Sequence, residues 1–243
     1  MAKNPTISHY GDLGILLQWD FNFSPENLKF LLSAKAKIDR MLNNPGVEVI
    51  NTYTALLLIY PVVATTRLND FKRLQEMDFS SLENVSIEQR EIEIPVCYDL
   101  HFGLDLEFLA KEKEVSIESL IIMHTAPIYT VYFIGFLPGF PYLGGLDERL
   151  AFARKKEPRS KIEKGAVGIA ENQTGIYPQA SPAGWQIIGN CPLTLFNPVA
   201  TAPCLLKAGD QIRFKSVDKR EHEVIKTAVN SGDYKLQIST KNG

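Results

Sequence analysis

Residues 165–189 read GAVGIAENQTGIYPQASPAGWQIIG, and residues 135–145 ahead of them read GFLPGFPYLGG. Apolar residues come there in short runs, separated by glycine, proline, asparagine and serine. Glycine opens backbone conformations closed to other residues, and proline stiffens the steps between them. Several short strands with dense turn signals point to a closed β-barrel or a sandwich. Working outward, nine of the 14 prolines lie between Pro127 and Pro203, and nine of the 16 glycines between Gly135 and Gly189. Before residue 95 the chain is poor in both and reads as alternating helices and strands. At roughly 150 residues per domain, 243 residues leave room for two. The expectation is an α+β protein: a small ferredoxin-like α/β domain over residues 1–92, then a β-barrel domain over 93–243 with helices at about 105–124.

In the first part, Ile15 to Trp19 reads as a strand. Ser24-Pro25-Glu26 starts a helix, with a capping hydroxyl, proline at the first helical position and an acid in the first turn. Leu28, Leu31, Leu32, Ile38 and Leu42 share its apolar face, and Asn43-Asn44-Pro45-Gly46 ends it. Val47 to Tyr60 reads as two strands, Leu68 to Met77 as a second helix, and Gln89 to Val96 as a strand. That β-α-β-β-α-β order suggests a ferredoxin-like sandwich. In the second part the expected strands are Tyr129–Phe136, Gly165–Ala170, Trp185–Gly189, Leu193–Phe196, Gln211–Phe214 and Glu223–Ile225.

Composition narrows the function. Apolar residues are 45% and charged residues 22%, which excludes a disordered tail, a coiled coil and a collagen. The net charge of −2 argues against a dedicated nucleic-acid binder. Cys97, Cys191 and Cys204 form no CxxC pair, so neither a disulfide framework nor a zinc site is expected. The first residues, MAKNPTISHYGDLG, hold no apolar signal region, and the longest apolar run, Ala55 to Ala64, is too short to span a membrane. A soluble cytoplasmic protein is expected, with no metal. The phosphate loop GxxxxGK[ST], GxGxxG, HExxH and GxSxG are all absent.

The turn-rich block supplies the candidate site. The 135–145 loop presents Phe140 and Tyr142, either as one wall of a pocket or as aromatics packed into a core. Residues 154–164, RKKEPRSKIEK, carry six bases and two acids. Arg159, beside Pro158, is suited to bidentate capture of a carboxylate or phosphate, unless the run is simply a solvated loop. Gln173, Thr174, Tyr177, Ser181, Trp185 and Gln186 form a set of neutral donors and acceptors with two large rings. His124, at the end of an apolar helix, reads as a cap, a core residue or a proton carrier.

The run from His124 to Gly189 resembles the signature of the KipI / allophanate hydrolase subunit 1 family, which includes 5-oxoprolinase B subunits. Two departures stand out: the family's SPGGW is Ser181-Pro182-Ala183-Gly184-Trp185, and its Arg-Thr-Pro is Asn190-Cys191-Pro192. The resemblance implies a cyclophilin-like barrel for the C-terminal domain. It implies a partner of the KipA / allophanate hydrolase subunit 2 type (the 5-oxoprolinase C subunit) and a third subunit, which together open 5-oxoproline to glutamate with ATP. On that footing Arg159 and nearby lysines receive an anionic group. Gln173, Thr174, Tyr177, Ser181 and Gln186 hydrogen-bond the substrate. Phe140, Tyr142 and Trp185 form walls, and His124 orients or transfers a proton. The other expectations within the family are a KipI-like inhibitor of a sensor histidine kinase and a carboxyltransferase-type subunit of urea metabolism.

Overall fold

The computed structural model describes residues 4–62, 65–82 and 89–241. The first residues of the chain and the last two of the Ala55–Ala64 run lie outside them. The chain forms two compact units, residues 1–87 and 88–243.

The first unit is a four-stranded antiparallel sheet with two helices. In chain order it runs β1 (Thr6–Tyr10), β2 (Gly14–Gln18), α1 (Pro25–Leu42), β3 (Glu48–Asn51), β4 (Ala55–Ile59) and α2 (Thr65–Gln75), with sheet order β1-β2-β4-β3. Helix α1 starts where the sequence demands: the Ser24 hydroxyl accepts from the Asn27 N–H, and Pro25 opens the first turn. Asn43, in the left-handed region at φ 45°, ends it by donating its N–H to Asp39. The register sets Ile15 against Leu58 and Leu17 against Leu56, and all four are buried under Leu31, Ala34 and Ile38 of α1.

The layout is that of a ferredoxin-like sheet, but the strand assignment needs one correction. The edge strand beside β2 is β1, from the start of the chain, whereas Gln89–Val96 was expected there. That later segment forms β5 (Gln89–Cys97) in the second unit, so the expected boundary at residue 92 falls inside a strand. Its alternating Ile92, Ile94 and Val96 are fully buried, and β13 (Gln211–Val217) pairs with it in parallel, Ile92 opposite Ile212 and Ile94 opposite Phe214. A strand's own alternation does not say which sheet will bury it.

The second unit is a closed seven-stranded barrel. Its order is β12 (Gln186–Asn190), β9 (Ala166–Ala170), β10 (Gln173–Ile176), β7 (Pro141–Gly144), β6 (Ile128–Ile134), β13 and β5, and Asn190 opposite Cys97 closes the ring. Strand β14 (Ile238–Lys241) extends β5 outside the ring. Helices α3 (Leu106–Glu112) and α4 (Ile117–Thr125) follow β5, and Ser116 caps α4 through the Ser119 N–H as its sequence suggests. Strands β8 (Arg159–Ile162) and β11 (Ser181–Ala183) pair as a separate ribbon.

Two expected strands are absent from this unit. Glu223–Ile225 lies inside α5 (Lys219–Ser231), where Asp218 caps the N-terminus and Gly232, at φ 81°, ends the helix. His222 and Ile225 are its buried face, a spacing of three that helix satisfies and strand does not. Leu193–Phe196 is hemmed by Pro192 and Asn197-Pro198 and contributes only an isolated bridge between Phe196 and Cys204. Among the described residues no helix is long and apolar enough to cross a membrane.

Candidate functional site

Four turns of the second unit converge on a cavity of about 300 Å³. The loop before β7 brings Phe136 and Phe140, and β7 itself brings Tyr142. The loop after β10 brings Tyr177. The last residue of β11 and the link to β12 bring Ala183, Gly184 and Trp185, and the segment before β8 brings Arg154, Lys155 and Pro158. The rings meet edge to face: Phe140 lies 5.0 Å from Tyr177, 5.0 Å from Tyr142 and 5.5 Å from Trp185, centroid to centroid. Such contacts fix ring planes and favour walls that keep their shape. Tyr142 is backed by Phe133, stacked at 4.3 Å.

Backbone chemistry explains how rings this large fit. Gly135 N–H donates to the Phe140 carbonyl, and Phe140 N–H donates to Leu137, which curls the loop tightly. Gly139 makes the curl possible: its φ is +84°, and a Cβ there would lie 2.7 Å from the Phe196 Cβ. Phe136 takes a left-handed backbone at φ 65° without being glycine, which costs about 1–3 kcal/mol. Its ring, 64% exposed, forms the outer wall against Phe140 and Tyr177.

Arg154 supplies the charge. Its guanidinium carbon lies 5.8 Å from the Trp185 centroid, over the ring, and it makes no ion pair among the described residues. A cation over an indole face is held without being neutralised. Burial pushes the Tyr142 and Tyr177 hydroxyls up, Tyr177 to about 12, while Arg154 nearby opposes the shift. Both tyrosines are neutral donors at ordinary pH. The site therefore offers flat apolar walls, phenolic donors and one free positive charge, a combination suited to a small flat anion.

The sequence-nominated residues divide. Phe140, Tyr142, Tyr177 and Trp185 line the cavity. Arg159 lies beside it but is engaged: its two terminal nitrogens donate to Asp105 at 2.7 and 2.6 Å. The expected anion receiver is thus already paired, and Arg154 is the cation left facing the cavity. His124 is fully buried in the barrel. Thr174 Oγ1 donates to the Gly168 carbonyl at 2.9 Å, so it must accept from His124 Nε2 at 3.0 Å; Nδ1 then accepts from the Tyr98 hydroxyl at 2.7 Å. Burial drives the His124 pKa down to about 3. His124 and Thr174 are thus bonded to each other in the barrel interior, outside the lining of this cavity. Gln186 is buried, its Nε2 donating to the Ala153 carbonyl while its Oε1 has no partner among the described residues. Ser181 donates to its neighbour's Pro182 carbonyl, and Gln173 opens β10 half-buried; neither lines the cavity.

Three residues escaped the sequence reading. Phe136 stood inside the quoted loop, but nothing local marks a ring that turns outward. Arg154 was one of six bases in a run, with no signal to choose among them. Asp105 lies in another segment altogether. No cluster of metal-ligating side chains occurs among the described residues.

Residues 5–206 match the family described as carboxyltransferase domain, subdomain C and D. The chain belongs to this carboxyltransferase-domain family. Within it, the chain is 36% identical over 240 residues to the 5-oxoprolinase B subunit of Bacillus subtilis (strain 168), covering 95% of this chain and 100% of that one. Among solved structures, TTHA0988 superposes with a TM-score of 0.70 at 32% identity over 84% of this chain. This chain spans 40% of the length of TTHA0988. The urea amidolyase of K. lactis superposes with a TM-score of 0.78 over 98% of this chain and 16% of its own length; at 19% identity this speaks to the shared fold.

Proposed function

We propose that this chain is the B subunit of an ATP-dependent 5-oxoprolinase, working in the cytoplasm with a subunit-2-type partner (the C subunit) and a third subunit. Water adds across the lactam C–N bond of 5-oxoproline to give glutamate, coupled to hydrolysis of ATP to ADP and phosphate. An unstrained lactam is a poor electrophile, so activating its oxygen with ATP is chemically sensible.

The observation that carries the reading is the cavity. Its volume lies at the lower end of the range for ligand sites, about 300–1,000 Å³, and suits a five-membered lactam bearing one carboxylate. The ring rests against the wall formed by Phe140, Tyr177 and Trp185, and the carboxylate meets the Arg154 guanidinium. The Tyr142 and Tyr177 hydroxyls, neutral, donate toward substrate oxygens. Phe136 covers the mouth and excludes water. These residues bind and orient.

The residues here do not fit ATP. The cavity is small, and the sequence holds no phosphate loop. No step of the reaction is therefore assigned to this chain through ATP, which is read as belonging to another subunit. The extent of the likeness to the B. subtilis 5-oxoprolinase B subunit supports the same substrate class.

The test is glutamate release from 5-oxoproline and ATP, with this chain and its two candidate partners, each left out in turn. Release only from the full mixture is expected. Release from the two partners without this chain would contradict the reading.

A further inference from the structure

Asp105 is 3% exposed and sits at the start of α3, yet its side chain makes no capping bond to that helix. Both of its oxygens are turned elsewhere. Oδ1 accepts from Lys155 Nζ at 3.1 Å and from Arg159 at 2.6 Å; Oδ2 accepts from Arg159 at 2.7 Å and from the Ile187 N–H at 2.7 Å. The Asp105 N–H in turn donates to the Ile187 carbonyl at 2.8 Å. We infer that Asp105 is a positioning residue for the aromatic cavity: one buried carboxylate ties the segment carrying Arg154 to the strand that follows Trp185, and so sets the guanidinium over the indole. The inference rests on reading that cavity as the substrate site.

The geometry accounts for both ends of the tie. Lys155 and Arg159 flank the turn containing Pro158, and Ile187 lies two residues after Trp185. Around Arg154 the chain is pinned further: Gln186 Nε2 donates to the Ala153 carbonyl at 3.1 Å, and Lys155 N–H donates to the Gly184 carbonyl at 2.7 Å. Arg154 itself rests over the Trp185 ring with no ion pair among the described residues. A rigid backbone under a free cation lowers the entropy lost when a carboxylate is captured. Burial alone would push the Asp105 pKa up, but the bonds from Arg159, Ile187 and Lys155 outweigh it, and the carboxyl is held below its usual range.

Replacing this carboxylate by an amide places N–H groups against donors. Lys155 and Arg159 lose their shared counter-charge, the turn loosens, and Arg154 loses its register with Trp185. The loss falls on capture of the substrate carboxylate. A uniform binding loss of this kind raises KM and leaves kcat.

The experiment uses the assembled complex carrying Asp105→Asn or Arg159→Lys, with 5-oxoproline as substrate. 2-Pyrrolidinone, the same ring without the carboxylate, serves as competitive inhibitor. For Asp105→Asn the KM should rise about tenfold or more, the loss expected when a charge-assisted hydrogen bond goes. The kcat and the inhibition constant of 2-pyrrolidinone should hold within about threefold. Arg159→Lys, outside the cavity lining, keeps the charge but loses the two-pronged bond to Asp105; it should move KM in the same direction by less, and it carries the test if Asp105→Asn does not fold. A merely structural role would reduce the active fraction, and hence apparent kcat, with KM unchanged; that result in both variants overturns the inference alone. No glutamate from the wild-type complex overturns the functional reading and this inference with it.

Discussion

His124 donates from Nε2 to Thr174 and accepts at Nδ1 from Tyr98, in a place with no exposed surface. Burial disfavours the charged imidazolium there, and in the neutral ring Nδ1 is left as an acceptor for the Tyr98 hydroxyl. The folded pKa of about 3 lies below the unfolded value near 6.5, so the unfolded chain binds the proton first. Stability is therefore full above about pH 6.5 and is lost as pH falls from there toward 3, at about 1.4 kcal/mol per pH unit. Denaturant unfolding at pH 7, 6, 5 and 4 should show that slope reduced in His124→Gln relative to wild type. Equal slopes would mean that His124 does not bury a neutral ring. Helix periodicity alone could place this residue at the end of α4. It could not say whether the ring faced ligand or core, because that depends on Tyr98 and Thr174, which reach it from two other strands or loops.

Elements were legible where their signals are local. The Ser24-Pro25-Glu26 start and the Asn43 stop give α1, and Ser116 gives α4, because caps are settled within a few residues. Strand membership was less legible. Gln89–Cys97 shows clear alternation, yet its partner β13 lies more than a hundred residues on, and β1 fills the place expected for it. Glu223–Ile225 reads as strand from its β-branched pair but is claimed by the Asp218 cap and the apolar face of α5. In the turn-rich block, the glycines mark where chains approach. Gly175 of β10 is one such position: a Cβ would lie 2.8 Å from the Phe140 Cζ and 3.0 Å from the Pro141 carbonyl oxygen. Gly175→Ala should therefore cost about 1–3 kcal/mol by overpacking and push Phe140 out of place. Thermal unfolding checks this, and a wild-type melting temperature would show that β7 yields without strain.

At the scale of the whole molecule, the division into an antiparallel α/β unit and a barrel was readable from where proline and glycine concentrate. The aromatic cavity belongs to the barrel unit and is built largely from turns and the short strands they join. That is why its aromatic lining could be nominated from sequence: Phe140, Tyr142, Tyr177 and Trp185 all stand beside glycine or proline. The charged part could not, since choosing Arg154 over Arg159 depends on which guanidinium Asp105 has already taken. The proposed function stands on this cavity holding 5-oxoproline with Arg154 on its carboxylate. Steady-state kinetics of the complex with Arg154→Met, beside wild type and Arg154→Lys, decide it. The KM for 5-oxoproline should rise about tenfold or more in Arg154→Met, with Arg154→Lys between the two, because a charge-assisted bond is lost and then partly restored. A KM unchanged in both variants would contradict that placement of the substrate.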